Sequence, residues 1–242
     1  MKIKPLAHRM IESVLGLYTP LLCRWEYRRQ KHTKFNERPV EFGFVFKHIG
    51  QLYPLHILDV GTGKTALPHL MRNCGAVVTA IDNIKDYWQA GMRNRHYHII
   101  DDNICSPKID KKFDLITCIS VLEHIEEYSK AIASMFKLLN DHGHLIITCP
   151  YAENSYVSNV YKLENSSYGQ NAKFVTQSYS REQLNKWLDD NGGEIVDQEY
   201  WQYWTGDHWT VGSQIIPPNK VTSDEKHQLT CILIRKLPKN RQ

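Results

Sequence analysis

The stretch "HILDVGTGKT", residues 56–65, decides the fold. An apolar run ends in an acid, and two glycines follow at once. Two phosphate-binding turns compete for this pattern. A triphosphate loop, G-x-x-x-x-G-K-[ST], wraps phosphates in backbone N–H groups and requires its first glycine at position 58. That position is Leu58, inside the apolar run, so the wrap cannot close. A dinucleotide turn, G-x-G-x-x-G, meets Ala66 where its third glycine belongs, a replacement such turns tolerate. Asp59 discriminates better. A carboxylate on the strand just before the turn repels a pyrophosphate and suits a cationic or amine-bearing ligand.

Working outward, strand and helix patterns alternate. Apolar runs predict strands at 55–59, 76–81, 96–100, 113–119, 143–149, 194–200 and 229–234. Helical spacing joins Leu67, Leu70 and Met71 after the glycine turn, and Ile132, Met135, Phe136 and Leu139 before Gly143. Ser180-Arg-Glu-Gln183 is a capping box opening another helix. This alternation predicts an α/β fold, a Rossmann-like, seven-stranded, mostly parallel sheet with helices on both faces. Residues 1–50 form an expected helical lead-in and 51–242 the main domain. Two long polar stretches, 151–178 and 203–227, are expected to be substrate loops, since long loops inside compact domains usually serve function.

Composition sets looser bounds. The 242 residues are 42% hydrophobic and 23% charged, with net charge +4, too small an excess to imply nucleic acid. The charge is uneven, with nine Lys or Arg against three Glu in residues 1–40. A solvated basic helix accounts for this; contact with an anionic surface or substrate is the sharper reading. Six cysteines show neither a CxxC pair nor metal-ligand spacing, which suits a reducing compartment and predicts no metal site. Residues 10–25 are apolar but carry Glu12 and stop short of a bilayer span, and no signal-peptide cleavage pattern follows. The expectation is a cytoplasmic protein with a small-molecule or saccharide substrate and no transmembrane segment.

With these motifs in register, the chain from residue 55 to 234 resembles the class I S-adenosylmethionine-dependent methyltransferases. Asp59, Gly61 and Gly63 look like the family's first motif, which implies packing along the methionine and ribose part of the cofactor. Asp82, ending the second strand, matches the acid that holds the ribose hydroxyls. Asp102 and Asn103 match the step that contacts the adenine edge, with Asp102 preferred to Asp101. "FDLITCISVLEHI", residues 113–125, resembles the fourth motif and is the most specific match; it implies that Ser120 passes beside the methyl donor. "NERPVEFGFVF", residues 36–46, resembles a lead-in helix that closes over the cofactor, with Glu41 either reaching the cofactor amine or exposed.

The implied reaction aligns a nucleophile with an electrophilic methyl group, and a hydroxyl nucleophile usually needs a general base. His124, just past the fourth strand, is one candidate. Asp207 and His208 are the others, lying in "WQYWTGDHWTVG", where Trp201, Trp204 and Trp209 either plug the sheet or offer flat faces to a sugar. The place of the (Asn/Asp/Ser)-Pro-Pro-aromatic motif of amino-group enzymes reads Ser120-Val-Leu-Glu, and Cys149-Pro150 reverses the Pro-Cys of cytosine enzymes. The expected activity is O-methylation of a sugar-containing or other small hydroxylated substrate. Methylation of a carboxylate or amine, or a catalytically silent methyltransferase fold serving as a partner protein, are the alternatives. One test separates the two readings of the glycine turn. S-adenosylmethionine or S-adenosylhomocysteine is expected to raise Tm at concentrations where ATP and GTP do not, since only a ligand of the native state stabilises it. Protection by a triphosphate alone would restore the phosphate-loop reading.

Overall fold

The computed structural model describes residues 5–32, 35–88 and 90–238. The outer ends of the two expected segments, residues 1–4 and 239–242, lie outside the described residues. The chain divides into two compact units, Met1–Asn36 and Glu37–Gln242. The first holds one helix, α1 (Pro5–Arg28). The second opens with α2 (Arg38–Leu52), which the sequence reading had grouped with the lead-in.

The larger unit is built on one eight-stranded sheet. In chain order its strands are β1 (His56–Val60), β2 (Val77–Asp82), β3 (Ile100–Asp101), β4 (Phe113–Ile119), β5 (Leu139–Pro150), β6 (Gly193–Trp204), β7 (Gln214–Val221) and β8 (Leu229–Lys236). Their spatial order is β3-β2-β1-β4-β5-β8-β6-β7. The first five run parallel, and β8 then pairs antiparallel with both β5 and β6. The chain moves outward from β1 to β3 and then crosses back to β4, so the sheet has its switch point between β1 and β4, where such sheets open a crevice at their strand ends.

Side-chain alternation along the strands explains why helices cover both faces. Leu58, Val60, Ile116, Cys118, Leu145 and Ile147 point into one core, against α5 (Tyr128–Leu138) and α6 (Arg181–Asn191). Their neighbours Ile57, Leu115, Ile119 and Ile146 point into the other, against α2 and α3 (Leu67–Asn73). Strands apolar on both faces belong in the middle of a covered sheet.

The sheet departs from expectation in two places. The stretch expected as the third strand reduces to Ile100–Asp101. The N–H groups of His96 and Tyr97 both donate to Asn94 Oδ1, at 2.7 and 2.9 Å, and so are unavailable to a ladder. The eighth strand, β7, lies inside the segment 203–227 expected to be a loop. Pro217 and Pro218 hid it, because proline cannot donate a ladder bond; β7 is the sheet's edge, where that loss is tolerated.

The capping box is present at α6. Gln183 Oε1 accepts the Ser180 N–H at 3.1 Å and the Ser180 hydroxyl at 2.7 Å, and Gly192 ends the helix in the left-handed region at φ 70°. Ser180→Ala is expected to destabilise the protein by about 1 kcal/mol, read as a lower urea midpoint with unchanged slope. An unaltered midpoint would mean that packing alone holds the α6 entry.

Candidate active site

A cavity of about 510 Å³ opens at the ends of β1, β2 and β4. Its wall includes Asp59, Gly61, Gly63, Asp82, Asp102, Asn103 and Ser120, the seven positions read from the sequence as cofactor contacts. Its volume falls within the usual range of small-molecule sites, about 300–1,000 Å³.

The glycine turn forms the floor. Gly61 and Gly63 take φ of 71° and 55°, and a Cβ on Gly61 would lie 2.4 Å from a methyl of Val121. Only glycine accepts both the conformation and the contact. The turn is sewn to β2: the N–H groups of Gly61 and Thr62 donate to Ile81 O, and that of Gly63 donates to Asp82 Oδ2 at 2.7 Å. The other Asp82 oxygen accepts Trp88 Nε1–H at 2.9 Å. A carboxylate offers about four acceptor positions, so each oxygen keeps capacity for a ligand hydroxyl. Burial raises the Asp82 pKa, against the pull of its N–H donors.

Asp59 is buried between two threonines. Thr117, its register partner on β4, donates to Oδ1 at 2.7 Å, and Thr62 donates to Oδ2 at 2.6 Å. Burial raises its pKa to about 6. Asp59 thus braces the turn as well as lining the cavity. Asp102 does similar work two strands over, just past β3, accepting the backbone N–H groups of Asn103, Lys108 and Ile109. Asp101, the alternative acid, instead caps the start of α4 (Ile84–Tyr87) and pairs with Lys85.

Glu41 is neither exposed nor in the cavity wall. It is fully buried, accepting from the Ser120 hydroxyl, from Thr148 Oγ1 at 2.7 Å and from Arg38 at 2.7 Å. Burial raises its pKa, while Arg38 opposes the shift. Ser120 is held with φ 50°, in the left-handed region that a non-glycine residue seldom takes, and its N–H donates to Thr148 O.

A second cavity of about 140 Å³ adjoins the first, sharing Arg38, Ser120 and His124 with it. Tyr161, Tyr168 and Thr176 from the expected substrate loop line it, with Trp209, Glu37 and Glu123. His124 sits in a 3-10 turn, Leu122–His124. Its Nδ1 lies 2.8 Å from Val175 O, which can only accept, so Nδ1 carries the proton and Nε2 presents its lone pair. Burial lowers its pKa, which favours the neutral ring.

Asp207 and His208 line neither cavity. Asp207 is exposed and paired with Lys226 at 2.8 Å, which holds its carboxyl below the usual range. Trp204 and Trp209 pack into a buried cluster with Val160, Tyr203 and Leu229, so the tryptophan loop mainly plugs the sheet end; Trp209 also meets the small cavity.

Sequence reasoning missed Glu123 and Arg38. Glu123 is buried, with Oε1 3.9 Å from His124 Nε2 and no hydrogen-bond partner on Oε2 among the described residues. Burial raises its pKa from 4.5 to about 8. Between those values the folded chain keeps a proton that the unfolded chain releases, so this contribution to stability is lost as pH rises towards 8. Glu123→Gln, which mimics the protonated acid, removes the loss. The Tm of the variant is expected to gain steadily on wild type between about pH 5 and pH 8 and to level off above that. Parallel Tm curves would refute a burial-raised carboxyl at this position.

Comparison with known proteins agrees with this architecture. The chain is 25% identical over 175 residues to the ubiquinone biosynthesis O-methyltransferase of Coxiella burnetii (strain RSA 331 / Henzerling II), covering 66% of this chain and 71% of that one. It is 29% identical over 123 residues to the enzyme of the same name from Glaesserella parasuis serovar 5, covering 46% of this chain. The match spans only about half of that relative, 51% of its length. Among solved structures, Burkholderia thailandensis 1,6-didemethyltoxoflavin-N1-methyltransferase, crystallised with its substrate and S-adenosylhomocysteine, superposes with TM-score 0.57 at 14% identity, covering 98% of this chain and 92% of that one. Magnesium protoporphyrin IX methyltransferase of Synechocystis PCC 6803 gives TM-score 0.52 at 15% identity, covering 93% and 99%. These likenesses are likenesses of fold. The methyltransferase-domain family model matches residues 21–198, and the chain belongs to that family, within the class I S-adenosylmethionine-dependent superfamily whose motifs its strand ends carry.

Proposed function

We propose that the chain methylates a hydroxyl oxygen of a small acceptor, sugar-containing or otherwise hydroxylated, with S-adenosylmethionine in the larger cavity and the acceptor's reacting group in the smaller. The observation that carries the reading is the junction, where His124, its Nδ1 held by Val175 O and its Nε2 left without a hydrogen, borders both cavities. Its relatives in Coxiella burnetii and Glaesserella parasuis are O-methyltransferases by name, which supports oxygen as the acceptor atom.

The wall chemistry suits the cofactor. Asp82 retains acceptor capacity for the ribose hydroxyls, the two glycines keep the floor open, and Asp59 and Asp82 give an acidic environment to a cation. Bound there, S-adenosylmethionine supplies an electrophilic methyl carbon on a positively charged sulfur. His124 Nε2 takes the proton that the acceptor hydroxyl must lose as its oxygen bonds to carbon. Arg38 and Ser120, at the same junction, orient the acceptor, and aromatic faces of Tyr161, Tyr168 and Trp209 pack on its apolar C–H groups. A cavity of about 140 Å³ accommodates one arm or ring of an acceptor and excludes water around it.

Two readouts test the proposal. Asp82→Asn is expected to weaken S-adenosylhomocysteine binding about tenfold or more by calorimetry, because it replaces a charged acceptor with a neutral one. With sugar, phenol, carboxylate and amine acceptors offered alongside a labelled methyl donor, label is expected in alkali-stable ether products. His124→Ala is expected to lower that turnover about a hundredfold without altering cofactor affinity. Alkali-labile ester products, with His124→Ala fully active, would favour a carboxylate acceptor, which needs no base.

A further inference from the structure

The catalytic reading leaves α1 unexplained. Among the described residues of the Met1–Asn36 unit this 24-residue helix is the one element, so nothing described in that unit covers its apolar side. Val14, Leu17, Tyr18, Leu21, Leu22 and Trp25 recur at steps of three and four and fall within an arc of about 140° at 100° per residue. Each is more than half exposed. A monomer does not usually leave such a stripe in water.

Charge indicates what covers it. Residues 1–36 carry eight Lys or Arg against two Glu, whereas the remaining 206 residues carry 22 against 24. The cations gather at the C-terminal end of the apolar stripe, with Arg24 beside Trp25 and Arg28, Arg29 and Lys31 after it. The Arg29 guanidinium lies 4.5 Å from the Trp25 ring centroid, joining an interface-seeking aromatic to a cation at one end of the stripe. We propose that α1 lies flat in the headgroup layer of an anionic membrane, its apolar arc among the acyl chains and the arginines of its C-terminal end on lipid phosphates.

The alternatives fit less well. The helix cannot span, because the run free of charged residues, 13–23, would cover about 16 Å of a hydrocarbon core about 30 Å thick. No helix among the described residues is long and apolar enough to cross a membrane. Self-association through the same stripe would bring together two segments of net charge +6, with no acidic residues to neutralise them beyond Glu12 and Glu26. An anionic surface removes that repulsion.

The test uses the full chain with two kinds of vesicle, phosphatidylcholine alone and phosphatidylcholine with one-third phosphatidylglycerol. Sedimentation is expected to show binding at least about tenfold stronger to the anionic vesicles and weakening with salt. Leu17→Glu combined with Leu21→Glu is expected to abolish binding, and Arg24→Gln, Arg28→Gln and Arg29→Gln together to reduce it about tenfold or more. The melting temperature of each variant reports on folding of the larger unit and is expected to stay at the wild-type value. Equal binding to both vesicles, no binding, or retained binding by the double leucine variant would overturn the proposal. So would a dimer in solution that the leucine substitutions dissolve while vesicles capture nothing.

Discussion

A carboxylate with no access to water holds the entrance helix to the sheet. Glu41 on α2 reaches the ends of β4 and β5, where Ser120 and Thr148 donate to one oxygen and Arg38 to the other. Burying a charge costs several kcal/mol, and three donors, one of them the Arg38 cation, offset that cost. The consequences run into the site. Ser120, fixed by Glu41 and by the Thr148 backbone, sets the chain direction at Val121, whose methyls fill the space that Gly61 leaves. Arg38, anchored on the same carboxylate, borders both cavities. Removing Glu41 would take the acceptor from the Ser120 and Thr148 hydroxyls and the carboxylate partner from Arg38, so the lost contacts would loosen the floor, the junction and the helix together.

Much of this was legible in the sequence because strand ends are local. A short apolar run ending at Asp59, Asp82 or Ser120 states both where the strand stops and which side chain stands at its carboxyl end, and parallel strands deliver those ends to one edge. What could not be read depended on partners distant in the chain. Glu41 looks like an exposed helix acid until Thr148, 107 residues away, is known to meet it. Asp207 and His208 stand as candidate bases in the tryptophan loop, and only the fold shows that the Asp207 carboxylate meets Lys226 and that neither residue lines the two cavities. Glu123 carries no local mark of burial; its cavity is walled in part by Tyr161, Tyr168 and Thr176 from the 151–178 segment and by Trp209 from the tryptophan loop.

Those two segments form one wall. Ser166 and Thr210 share a hydroxyl–hydroxyl bond of 2.7 Å, Ser167 N–H donates to Thr210 O, and the Ser167 hydroxyl donates to Gly212 O. Gly169, at φ 92°, lets the Tyr161 ring lie where any Cβ would collide. Neither segment has a regular pattern, so polarity alone marked them as loops. Their order comes from each other, and the small cavity takes its shape from that mutual bracing. A segment ordered this way can differ in sequence while the sheet beneath it stays the same, which is how one fold comes to serve many acceptors.

The glycine turn itself explains why a sequence ending in Gly-Lys-Thr does not make a phosphate site. A phosphate cradle needs successive backbone N–H groups pointing at open space. Here the amides of Gly61 and Thr62 are bound to Ile81 O and that of Gly63 to Asp82, so all three are spent on β2. Lys64 also lines the cavity, its ammonium 5.6 Å from the Trp88 ring centroid, but it is a single cation beside a turn whose wall carries Asp59, Asp82 and Asp102. A polyanion would meet three carboxylates and none of the turn's first three amides. The same strand-to-turn geometry that serves phosphates in other sheets has been inverted in sign by acidic strand ends, and a cation with hydroxyls is what it now fits.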